Sequence, residues 1–294
     1  MRWQGGRKSD NIEDRRGGGR GVRRVAVPAG GGCVVVVLVV GVGLLFGASP
    51  GEILQALSQV EGQQPAGRAP APRAPSTRDP NAPDVAGDFV SVVLADTEDV
   101  WTQEFAKRGA QYRPPKLVLF SGTVSSACGR ATAASGPFYC PGDLQVYLDT
   151  SFFAELDQQF GAPGDFAAAY VIAHEVGHHI QRLTGVAEQV DRLQARSGKT
   201  QSNALSVLQE LQADCYAGVW AHHAHKQRQL LEQGDVEEGL RAAAAIGDDR
   251  LQRMSRGTVV PESFTHGSSA QRVEWFKRGL QGGSIEQCDT FARR

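Results

Sequence analysis

The sequence predicts an α+β domain, mostly helical with a small β-sheet, set behind an N-terminal transmembrane helix. Three observations carry this expectation. Short apolar or alternating runs suited to strands, Lys116-Leu-Val-Leu-Phe120 and Leu144-Gln-Val-Tyr-Leu148, fall only in the first third of the region after residue 85. Long stretches with helical periodicity fill the rest. Residues 25–48 contain no charged side chain, and as a helix they would reach about 36 Å, enough for a hydrocarbon core of about 30 Å.

The 294 residues carry a net charge of -1, with 31 Lys and Arg against 32 Asp and Glu, which excludes a global pull toward nucleic acid. Basic side chains are concentrated at the start. Arg2, Arg7, Lys8, Arg15, Arg16, Arg20, Arg23 and Arg24 outnumber Asp10, Glu13 and Asp14 in residues 1–24. By the positive-inside rule this basic N-terminus, residues 1–24, is expected in the cytoplasm, with residues 25–48 as a signal-anchor in the cytoplasmic membrane. A cleaved secretory signal is the competing reading, because Gly47-Ala48-Ser49 are small. Residues 49–84 hold Pro65, Pro70, Pro72, Pro75, Pro80 and Pro83 among Ala, Arg, Gln and Gly, and are expected to form a disordered linker. The domain is expected over residues 85–294, on the outer face of a single-pass protein.

Within it, Phe89, Val92, Val93, Val100, Trp101 and Phe105 recur at helical spacing, so 88–108 reads as a helix. Residues 151–160 look helical. Residues 166–183 form a strong helix ended by Thr184-Gly185. Ser202 or Asn203 can cap a further helix running to about Lys226, and Asp235 another, with a last helix over 270–279. Cys33 lies in the apolar run. Cys128, Cys140, Cys215 and Cys288 fall in the exported part, where disulfides persist. Cys128–Cys140 plus Cys215–Cys288 is the preferred pairing, because the first two flank one Gly- and Pro-containing loop; the alternative is four free buried thiols.

His174-Glu175-Val176-Gly177-His178 lies inside the predicted helix 166–183. Residues four apart are about 40° apart around a helix, so both imidazoles can reach one metal ion. Glu175 projects about 100° away from His174, beside the metal but outside its ligand set. Two neutral nitrogens on Zn²⁺ and an adjacent carboxylate to take a proton from water is the division of labour a zinc hydrolase needs. A catalytic zinc also needs a third protein ligand. A third histidine ten residues after the first is excluded, since Thr184 stands there. Glu210 and Asp214 share one face of the next strong helix. Glu210 can complete the ligand set while Asp214 accepts the distal N–H of a ligand histidine. The opposing readings are an acidic pair in solvent, or Asp214 as the ligand. His266, before Gly267-Ser268-Ser269 at a helix start, is a possible donor to a tetrahedral oxyanion, as is Arg272; a plain loop histidine is the alternative.

Glu-x-x-x-Asp on a helix downstream of His-Glu-x-x-His resembles the gluzincin arrangement of thermolysin-like peptidases. More narrowly, the chain resembles the bacterial neutral zinc metallopeptidase family, whose members are predicted membrane-anchored proteases. The likeness lies in Met1-Arg-Trp-Gln-Gly-Gly, Ser9-Asp-Asn-Ile-Glu-Asp-Arg-Arg16, Ala173-His-Glu-Val-Gly-His-His-Ile-Gln181, Glu210-Leu-Gln-Ala-Asp-Cys-Tyr-Ala-Gly-Val-Trp220 and Phe264-Thr-His-Gly-Ser-Ser-Ala-Gln-Arg272. It implies a zincin-like fold, a zinc cofactor, and cleavage of a peptide or protein substrate. Zinc held by His174, His178 and Glu210, with Glu175 as general base, is the expected endopeptidase mechanism. The rivals are a non-catalytic zinc-stabilised binding domain, a cell-envelope amide hydrolase using the same chemistry, and a latent protease.

Overall fold

The computed structural model describes residues 1–16 and 84–292. The expected membrane anchor and most of the expected linker lie outside the described residues. Among the described residues no helix is long and apolar enough to cross a membrane.

Helix α1 (Val85–Ala106) starts where the Asp84 carboxylate accepts the Gly87 N–H, and it buries Phe89, Val93, Val100 and Trp101. Strands β1 (Ile12–Asp14), β2 (Lys116–Phe120), β5 (Phe138–Cys140) and β6 (Gln145–Asp149) make a four-stranded sheet in the order β1-β2-β6-β5. β1, β2 and β6 run parallel, and β5 pairs antiparallel to β6 at the edge. A separate hairpin, β3 (Thr123–Ser126) with β4 (Gly129–Thr132), occupies the stretch expected to be a Gly/Ala/Ser-rich loop. The Cys128–Cys140 disulfide ties this hairpin to β5.

The remainder is helical: α2 (Phe152–Gln158), α3 (Asp165–Leu183), α4 (Val186–Gln194), α5 (Lys199–Arg228), α6 (Asp235–Ala245), α7 (Asp248–Arg256) and α8 (Ser269–Gly282). Mostly helical with small sheets, the fold is α+β. α3 is buried along nearly its whole length, and its small residues Ala167, Ala168, Ala169 and Ala173 let neighbours approach. Against α5 the approach is close at Gly177, where an added Cβ would lie 3.0 Å from the Ala213 carbonyl oxygen and 3.1 Å from its Cα. α5 begins at Lys199, earlier than the capping residues Ser202 and Asn203 predict, and ends at Gln229 in the left-handed region (φ 49°). α8 opens with a capping box, Ser268 accepting from the Gln271 N–H. The Cys215–Cys288 disulfide joins α5 to the turn after α8. Trp220 stacks on Phe166 at 5.9 Å and donates to Asp96 at 2.7 Å, linking α5, α3 and α1.

Residues 1–16, read from sequence as part of a separate basic stretch, are built into this unit. Ile12, Glu13 and Asp14 pair in register with Leu117, Val118 and Leu119. The Met1 ammonium is 2.8 Å from Asp165 at the start of α3 and 3.3 Å from Asp235 at the start of α6. Burial opposes its charge, but these carboxylates hold its pKa above the ordinary value.

Candidate metal centre

α3 presents His174 and His178 on one face, and α5 crosses it so that Glu210 faces both rings. Ligand atoms of His174, His178 and Glu210 all lie within 4.8 Å of one another. His174 Nε2 is 3.2 Å from Glu210 Oε2, and His178 Nε2 is 3.4 Å from Glu210 Oε1. The other ring nitrogens are committed elsewhere. His174 Nδ1–H donates to Asp214 Oδ1 at 2.8 Å, and His178 Nδ1–H to Gln181 Oε1 at 2.9 Å. The Gln181 amide is oriented by its own donations to the Gln209 carbonyl and Gln212 Oε1. With both Nδ1 atoms donating, both Nε2 atoms face a common point.

The field at this point favours positive charge. Burial works against a charged His174, yet Asp214 and then Glu210 raise its pKa to about 10. Burial likewise opposes charge on His178, and Glu210 raises it. Burial pushes the Glu210 carboxyl up, but His178 and His174 hold it well below its ordinary value. Two imidazole nitrogens and one carboxylate, converging from rigid helices, fit the donor set of a catalytic zinc with a position left open.

Glu175 lies beside the trio and is 8% exposed. Burial raises its pKa, against the opposing pull of His178 and His174 and a smaller one from the Tyr139 backbone in β5. Asp214 is fully buried and receives four donors: Tyr170 Oη, His174 Nδ1, and Arg272 through both Nε (2.8 Å) and Nη2 (2.9 Å). Arg272, a sequence candidate for an oxyanion donor, is 2% exposed and committed to this carboxylate. His266 stands at the rim. Its Nδ1 lies 3.2 Å from Asp248 Oδ1, while Asp248 Oδ2 accepts the N–H groups of Thr265, His266 and Gly267. That hydrogen bond to Asp248 raises the His266 pKa against the effect of burial.

A cavity of about 470 Å³ runs past His174, Glu175, His178, Glu210, His266 and Arg272. Its other walls are the approach to β5 (Gly136, Pro137, Phe138, Tyr139) and the apolar side chains Phe152, Val171, Ile246 and Leu251. Every residue singled out from sequence for chemistry thus borders one cavity or, in Asp214, supports it from behind. Sequence reading missed Gln181, Tyr170, Tyr139 and Asp248 as partners. Gln181 and Tyr170 sit on the same helix, three residues beyond His178 and four before His174, and that spacing was the available signal. His179, between them, turns away to the Arg113 carbonyl (2.7 Å) and Tyr139 Oη (3.1 Å), fastening β5 to α3. A second acidic group, Asp165, Asp235 and Glu238, is the one approached by the Met1 ammonium.

A family model described as "Putative neutral zinc metallopeptidase" matches residues 1–291. The chain is similar to the uncharacterized protein YpfJ of Escherichia coli strain K12, 48% identical over 302 residues, covering 100% of this chain and 99% of the relative. It is also similar to the uncharacterized protein Rv2575 of Mycobacterium tuberculosis strain H37Rv, 47% identical over 191 residues, covering 62% of this chain and 64% of the relative. No solved structure matches. The family implies zinc, and the His174, His178 and Glu210 donors are those that could hold it; the chain belongs to the neutral zinc metallopeptidase family.

Proposed function

We propose that the protein is a zinc-dependent endopeptidase of zincin-like architecture, acting outside the cytoplasm. The observation that carries this reading is the convergence of His174 Nε2, His178 Nε2 and Glu210 on one point at the wall of an open cavity, with Glu175 beside it. When bound there, zinc supplies a Lewis acid that acidifies water and polarises a peptide carbonyl. Glu175, its pKa raised by burial, takes a proton from the attacking water and returns it to the leaving nitrogen. His266, whose charged form Asp248 favours, donates from Nε2 to the oxyanion that develops on the substrate carbonyl. Asp214 fixes the His174 ring, and Arg272 and Tyr170 keep Asp214 ionised and oriented. Two disulfides support an oxidising location, consistent with work at the outer face of the membrane on peptides or proteins found there.

The test is zinc quantification together with a peptide-library digest, comparing the native chain with Glu175→Gln. One zinc per chain in both, with cleavage lowered at least ~100-fold in the variant, is expected for loss of a general base. Equal cleavage by both proteins would refute the mechanism. One tightly held zinc with no cleavage by either would favour a binding domain.

A further inference from the structure

We infer that residues 1–16 lie on the same face of the membrane as the metal centre and form part of its folded unit. Residues 16 and 84 then stand on one side of the bilayer. This replaces the single-pass arrangement that charge distribution alone favours, and it holds whether or not the centre cleaves peptides.

Four separate features of the described residues carry the inference. β1 completes the sheet: its backbone pairs in parallel with β2, and Arg15 N–H continues the ladder to the Leu119 carbonyl at 2.7 Å. Parallel neighbours of this kind belong to one folded sheet, since an open inner edge would leave the Leu117 N–H, now bonded to the Asn11 carbonyl at 2.8 Å, without that partner. Next, Glu98 on α1 is a buried carboxylate, 6% exposed, whose hydrogen bonds come from Ser9 Oγ, Asn11 Nδ2 (2.8 Å) and Arg7 Nη2 (3.0 Å). A buried charge needs such donors, and all three of these belong to the first sixteen residues. Trp3 packs edge-on against Phe89 at 5.4 Å, extending the aromatic core outward. Finally, Arg16 is hydrogen-bonded and ion-paired to Asp84, the capping residue of α1. The last described residue before the intervening stretch therefore touches the first one after it. A bilayer core about 30 Å thick cannot separate two residues in contact. The family match also begins at residue 1, so the likeness to metallopeptidases takes in this segment.

The full-length chain tests this, with Cys33→Ser as background. Lys8→Cys and Lys277→Cys, both at exposed positions, are introduced separately. Each is treated with a membrane-impermeant maleimide on intact spheroplasts and after detergent lysis. The two positions are expected to behave alike within about twofold, both reactive before lysis or both only after it. Reaction of one in intact spheroplasts, with at least tenfold protection of the other until lysis, overturns the inference. A second arm uses Ser9→Cys with Ser91→Cys, whose backbones are joined by a 3.1 Å hydrogen bond, and a protease site inserted near residue 65. Mild oxidation should keep the two cleaved pieces joined until reductant is added. Pieces that separate without reductant overturn it as well.

Discussion

Asp214 sits where no water reaches, and four donors converge on it. Arg272 is its counter-ion, and removing the guanidinium would leave a buried carboxylate beside the metal ligand His174. Arg272→Met should therefore destabilise the domain by about 3–5 kcal/mol, read as a lower thermal midpoint. At the rim the sign differs for the two members of a pair. His266 has a raised pKa in the folded protein, so the stability it contributes is present below its unfolded value near 6.5 and fades as pH rises through the folded one. Asp248 has a lowered pKa, so its contribution is present above its unfolded value near 3.8 and fades as pH falls through the folded one. If protonated His266 serves turnover, Asp248→Asn should move the alkaline limb of the kcat/KM profile to lower pH. An unmoved limb would remove His266 from the chemistry. That His174 and His178 share one helix face, and Glu210 and Asp214 another, was legible from their four-residue spacing, with Glu175 picked out by its place beside His174. Which carboxylate faces the ring nitrogens, and which lies behind, depends on how two helices cross, and spacing does not encode that.

That crossing is an element-scale property, set by Gly177 against Ala213. Gly177→Ala would press a methyl group against backbone rather than against a side chain able to move aside. It should destabilise by about 1–3 kcal/mol and weaken zinc binding, measurable by chelator competition, because Glu210 rides on the displaced helix. The long helices α1, α3 and α5 were legible from different signals: apolar spacing in α1, the alanine-rich start and Thr184-Gly185 stop of α3, and capping candidates near the start of α5. Among the short elements β2, β6 and α2 were legible as well, but several others were not. α7 is polar and charged almost throughout, α4 is nine residues long, and β5 is three residues held by a neighbour and a disulfide. β1, Ile12-Glu-Asp14, has only one apolar side chain, and its partner lies more than a hundred residues away. Such strands are made by their surroundings, not by their own pattern.

At the scale of the molecule, two covalent ties and one ionic clasp set what can come apart. The Cys215–Cys288 bond closes a 73-residue separation, for which chain entropy gives about 4 kcal/mol. Paired Cys215→Ser and Cys288→Ser changes should lower the denaturant midpoint while leaving the fold's helical signal. Both pairings follow those favoured from sequence, although the hairpin that one of them anchors was read as loop. The Arg16–Asp84 contact has a different consequence. It makes residues 17–83 an insert between two positions already in contact, so the cost of closing that loop varies only with the logarithm of its length, about 0.6 kcal/mol per doubling. On chain entropy alone, changing the length of this insert costs little, while the strand before it and the helix after it keep their contacts. Replacing 17–83 by a short Gly/Ser bridge should preserve the thermal midpoint within a few degrees, whereas deleting 1–83 outright should lower it sharply.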